Sequence, residues 1–102
     1  MRTIKQKNNL INGWNQIVND SDYWDQGSFE SECGTSRCLF GWIQYQVDGE
    51  VNEDDCHERV RCLCGLSQDL AEYLSHKDRT LDELGQGIFG VSYKGPVEMP
   101  LM

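Results

Sequence analysis

The chain has 102 residues, 38% of them hydrophobic, with three Trp, four Tyr and three Phe, which is enough for one folded domain with a modest core and excludes a disordered tail. A formal net charge of −8 and a pI near 4.5 repel a phosphate backbone and favour a basic protein surface, so no direct contact with nucleic acid is expected. No apolar run reaches the roughly 18 residues that span a bilayer, and Met1-Arg2-Thr3-Ile4-Lys5-Gln6-Lys7 lacks the apolar stretch of a secretion signal. The expected location is therefore the cytoplasm, with no membrane contact, where the five cysteines would be thiols, metal ligands or redox pairs rather than a disulfide framework.

Thr3 and Gln6 form a capping-box pattern at the start of a first helix. Ile4, Ile11, Trp14 and Val18 share one face of it, widened by Leu10 and Ile17. Gly13 costs that helix about 1 kcal/mol relative to Ala, so packing must hold it. The cluster Asn19-Asp20-Ser21-Asp22 ends it, and Tyr23, Trp24 and Phe29 then lie on a turn-rich connector as anchors to the core. Thr35 or Ser36 is the expected cap of a second helix carrying Leu39, Trp42, Ile43 and Val47, stopped by Asp48-Gly49. Gly41 beside Trp42 would let a neighbouring backbone come close.

An acidic stretch follows (Asp48, Glu50, Glu53, Asp54, Asp55 and Glu58), and its latter half should open a third helix by complementing the macrodipole. Cys56, Val60, Leu63 and Cys64 recur at helical spacing before Gly65, a left-handed stop. Ser67 caps a fourth helix bearing Leu70, Ala71, Tyr73 and Leu74. Thr80 with Glu83 opens a fifth, which Gly85 and Gly87 should limit to a turn or two; Phe89, Val91 and Tyr93 then alternate as an extended piece. The expected architecture is all-α: four or five short helices over residues 1–94, with a loose, flexible tail over 95–102. Trp14, Leu39, Trp42, Ile43, Val60, Leu63, Leu70 and Leu74 are the expected core.

Three blocks stand out: Trp24-Asp25-Gln26-Gly27-Ser28-Phe29, Cys33-Gly34-Thr35-Ser36-Arg37-Cys38-Leu39-Phe40-Gly41-Trp42, and Leu63-Cys64-Gly65-Leu66-Ser67. In this order they resemble a group of small phage and bacterial proteins with a Cys-Gly-Thr-x-x-Cys-Ile/Leu-Ala-Gly-Trp motif, over roughly the middle half of the chain. Phe40 stands where that group commonly has Ala, and Cys64 interrupts its usual Leu-Gly-Leu. Cys56, His57 and Cys62 lie outside the pattern. The resemblance implies a phage-type accessory protein and carries no activity with it.

Cys33, Cys38, Cys56, His57, Cys62 and Cys64 could supply a tetrahedral zinc site, although Cys-x4-Cys and Cys-x-Cys are not the paired spacing of zinc ribbons. The plainer possibility is that Cys38, Cys56 and Cys64 are small core residues. Arg37 beside Cys38 near a helix start could lower the thiol pKa, and Cys33 could pair with Cys38 reversibly. His57 and His76 have no evident orienting partner, which argues against a hydrolase. Gly85-Gln86-Gly87-Ile88-Phe89-Gly90 matches the dinucleotide fingerprint by letter but lacks its strand–turn–helix setting, so its glycines read as turns. The acidic loop fails as an EF-hand, since Gly49 is second and Arg59 twelfth.

The expected function is that of a non-enzymatic, phage-type inhibitor or modulator of a host protein, acting in the host cytoplasm without cofactor or metal. Asp48, Glu50, Glu53, Asp54 and Asp55 are the expected partner-binding residues, although charge runs commonly just face water. The alternative is a small zinc-binding or redox-responsive module built on the cysteines.

Overall fold

The computed structural model describes residues 3–31, 34–93 and 95–98. Thr3 opens α1 (Ile4–Asn19) through the expected box: its hydroxyl accepts the Gln6 N–H at 3.1 Å while the Gln6 side chain accepts the Thr3 N–H at 2.8 Å. The buried stripe is Leu10, Gly13, Trp14 and Ile17, turned from the expected face so that Ile4 is exposed. Gly13 is the cause. A Cβ there would collide with Ile43, so the missing side chain brings α1 down onto α2. Closer packing offsets the weak helix propensity of glycine.

A single 3-10 turn at Ser21–Tyr23 leads into an irregular connector, and α2 follows at Leu39–Asp48. Its cap is Cys38, whose sulfur accepts the Gly41 N–H at 3.4 Å, and neither Thr35 nor Ser36. The reason is Arg37, which stays extended in an isolated bridge with Trp24: its N–H donates to the Tyr23 carbonyl and its carbonyl accepts the Asp25 N–H, each at 3.0 Å. Helical dihedrals therefore begin only after Cys38. Gly49 ends α2 in the left-handed conformation (φ 79°), as Gly65 (φ 64°) ends α3 (Cys56–Cys64). Ser67 caps α4 (Gln68–Ser75), and a Thr80–Glu83 box caps α5 (Leu81–Phe89).

Gly85 and Gly87 lie inside α5, which runs on to Gly90; they do not stop it. A Cβ at Gly87 would press on Tyr73 and Leu74, and one at Gly85 on Trp14. Both are contact surfaces for neighbouring elements. Phe89 belongs to the helix end, and Val91 and Tyr93 form no strand. Among the described residues there are five α-helices and no β-strand, and none of the helices is long and apolar enough to cross a membrane.

α1 packs on α2 and α3, α2 also on α3 and α4, and α4 on α3 and α5. Trp14, Ile17, Leu39, Phe40, Ile43, Val60, Leu74 and Leu84 are fully buried at the centre, with Cys38, Cys56 and Cys64 among them. Trp42, Leu63 and Leu70, expected in that core, are half-buried on its rim. The described part of the tail, residues 95–98, has no regular structure but meets α1. The Trp14 indole donates to the Gly95 carbonyl at 2.7 Å, and the Asn15 amide both donates to and accepts from the Val97 backbone at 2.7 Å.

Among the described glycines the tightest position is Gly41, where an added Cβ would strike the Phe29 carbonyl. The connector backbone cannot yield there as a side chain can, so Gly41→Ala should cost about 3 kcal/mol, the upper end for overpacking. Gly87→Ala meets only side chains and should cost less. Urea unfolding of the two variants checks the order.

Candidate functional site

The acidic loop between α2 and α3 is held by a buried amide. Gln44, 2% exposed, accepts the Asn52 N–H at 2.9 Å and donates to Asp55 at 3.1 Å. Asn52 in turn accepts the Asp54 N–H on its side chain at 3.1 Å and the Asp55 N–H on its carbonyl at 3.2 Å. Asp48 makes a two-point pair with Arg59 at 2.8 and 3.0 Å. That guanidinium holds the Asp48 carboxyl below the usual carboxylate range. Of the five expected contact residues, then, Asp48 and Asp55 fix the loop. Glu50, Glu53 and Asp54 stay exposed and line an open groove of about 640 Å³.

Glu30, from the irregular connector, also lines the groove. Its carboxylate receives two bonds from Arg37, at 2.7 and 3.0 Å. The Arg37 side chain is only 7% exposed. It also donates to the Gly34 carbonyl at 3.0 Å, and its Cζ lies 3.9 Å from the Tyr45 ring centre and 4.7 Å from that of Trp42. Carboxylate at the edge and aromatic faces above the plane suit a guanidinium, and no ammonium can copy both. Arg37 and Glu30 lay outside the expected site because nothing in their local sequence marks burial. The only signal was a basic residue between the two thiols of the Cys-x4-Cys block.

Cys38, Cys56 and Cys64 lie in the hydrophobic core, as the plainer reading of the sequence has them. Cys38, Cys56 and Cys64 are buried thiols, Cys62 is an exposed one, and Cys33 lies outside the described residues. Burial pushes the Cys38 thiol up to about 11, against the pull of the Gly41 N–H. Burial, with the neighbouring Cys38 and carboxylates, pushes Cys56 up to about 12. The expected activation of Cys38 by Arg37 is therefore reversed: the guanidinium is engaged with Glu30 and the thiol sits in the core. Among the described residues no group of three or more His, Cys, Asp or Glu side chains could hold a metal ion. The ring of His57 lies 5.6 Å from that of Phe40, and His76 accepts the Asp78 N–H at 3.2 Å.

Comparison with models of known families, with curated proteins and with solved structures gave no match for this chain. The arrangement itself is what can be read. It is an open groove lined by Glu30, Glu50, Glu53 and Asp54, on a loop held by Gln44 and Asn52.

Two predictions follow from the buried side chains. Arg37→Lys keeps the charge but loses the fork and the stacking, and should cost about 2 kcal/mol in urea unfolding, within the range for hydrogen bonds to charged groups. The thiols set an alkaline limit. Above the ordinary thiol value of 9.0 the unfolded chain ionises while Cys38 and Cys56 stay protonated to about 11 and 12, so the native state binds more protons and stability falls as pH rises. Cys56→Ala should be less stable near neutral pH yet lose less between roughly pH 8 and pH 10. An unchanged slope would show that Cys56 is not held protonated.

Proposed function

We propose that this is a non-enzymatic accessory protein, of the phage type that its central motif resembles, which binds a host protein and inhibits or otherwise modulates it. The observation that carries the proposal is the acidic groove. Glu50, Glu53 and Asp54 stand exposed on a loop fixed by Gln44 and Asn52, and Glu30 lines the same groove. Flexible acidic loops lose entropy when they bind, whereas one already held by its scaffold keeps more of the interaction energy. The net charge of −8 adds long-range steering toward a basic surface and sets against it any anionic partner.

Within the proposal the contacting role falls to Glu50, Glu53 and Asp54, with Asp48 and Asp55 as the framework that presents them. The triple variant Glu50→Gln, Glu53→Gln, Asp54→Asn removes three charges and leaves the bonds of Gln44, Asn52 and Arg59 intact. Immobilised wild-type protein should retain a host protein from lysate at about 0.1 M salt and release it by about 0.5 M, as screening shortens the reach of the field. The triple variant should retain little of the same protein even at the lower salt. Undiminished capture by the variant would move the interface away from this loop.

A further inference from the structure

Helices α1 to α4 pack on one another without help from α5, which among helices rests chiefly on α4. Where α5 meets α1, Lys7, Leu10, Ile11, Ile88 and Phe89 line an open groove of about 200 Å³. Beyond that groove the contact narrows to Trp14, which meets Phe89 edge to face at 5.5 Å and fills the space beside Gly85. α5 itself has nine residues with Gly85 and Gly87 inside it. It is too short and too weak a helix to persist away from the body.

The chain after α5 closes this seam. It folds back across Gly85, where the Val91 carbonyl and the Tyr93 N–H border the place a Cβ would take, and the Tyr93 ring comes within 6.1 Å of the Trp14 ring. It then reaches α1, where two adjacent side chains grip its backbone. The Trp14 indole donates to the Gly95 carbonyl, and the Asn15 amide bonds both polar groups of Val97, each at 2.7 Å. The Val97 side chain packs against the core. Trp14 is wholly buried, so its indole N–H meets water only when this strap lifts. Regions with few ties to the rest of a fold open at lower free energy than the whole. We propose that α5 and the strap Gly95–Val97 form a latched lid over Trp14, with Asn15 as its catch, which opens as one unit while α1 to α4 stay folded. Opening uncovers the Trp14 indole and the Asn15 amide together.

Native-state hydrogen exchange of the whole protein, followed by NMR in low urea, tests the lid. The Leu84 amide, bonded to the Thr80 carbonyl at 2.9 Å, should exchange together with the later amides of α5 and the Trp14 indole N–H. Their common rate should be about tenfold or more above that of the slowest amides of α1 and α2, with a weaker dependence on urea because less surface is exposed. Asn15→Ala removes two of the three strap bonds and should speed this opening about tenfold. Ile43→Val thins the α1–α2 contact at Gly13, which the closed and open forms share. It should speed the slowest amides and leave lid exchange unchanged. Exchange of the α5 amides and the indole at the rate and urea dependence of the body would overturn the lid. So would an indole that exchanges alone while the α5 amides keep pace with the body, because the strap would then lift without the helix.

Discussion

Taking the Arg37 guanidinium out of water costs several kcal/mol unless the protein replaces its hydration, and the connector between α1 and α2 is shaped by that replacement. Glu30 must come within 2.7 Å from one direction, the Gly34 carbonyl within 3.0 Å from another, and the rings of Trp42 and Tyr45 must cover the plane. Those demands fold a segment that has no ladder of its own. Once it is folded, the Phe29 carbonyl lies where a Cβ of residue 41 would be, which only glycine permits. The Ser28 carbonyl receives the Cys38 N–H at 2.8 Å, and α2 can start. The extended backbone that carries Arg37 into its seat also decides that α2 is capped by sulfur rather than by hydroxyl.

The other helices are 8 to 16 residues long, and each leaves terminal carbonyls without partners inside the helix. Side chains from distant segments supply them. Gln6 and Asn9 of α1 donate to the last carbonyls of α3, at 3.2 and 2.8 Å. Gln26 of the connector donates to Leu74 and His76 at the end of α4, both at 2.9 Å, and Arg79 donates to Tyr73. These bonds do more than satisfy polar groups. They fix where each helix ends against its neighbour, which apolar packing alone leaves free to slide. A small core with several short helices gains its single arrangement from such directional contacts.

What could be read from residues alone divides along the same line. The caps at Thr3, Ser67 and Thr80 and the stops at Gly49 and Gly65 are local chemistry, and they lie where sequence spacing puts them. Gly13, Gly85 and Gly87 look like weak points within a helix, and only the partners Ile43, Trp14 and Tyr73 reveal them as contact surfaces. The acidic groove was half legible. Its loop is a visible run of carboxylates, but Glu30, which also lines it, is 20 residues from Glu50 in the chain and is held by Arg37. Burial of an arginine has no local signature, because the groups that replace its water come from elsewhere in the sequence.

The means of anchoring the acidic loop bears on what the loop is for. A carboxylate pinned by an arginine, as Asp48 is by Arg59, is fixed and largely neutralised together. Glu50, Glu53 and Asp54 are instead placed by the neutral amides of Gln44 and Asn52 acting on the loop backbone, so they are positioned without being discharged. Three like charges held close repel one another, and that repulsion is unfavourable for the fold. A chain selected only for stability would relieve it with a lysine or arginine, or let the loop spread into solvent. The same carboxylates attract one another's counter-ion in common, and a single cation entering from a partner would relieve all of them. The scaffold thus positions these carboxylates without neutralising them.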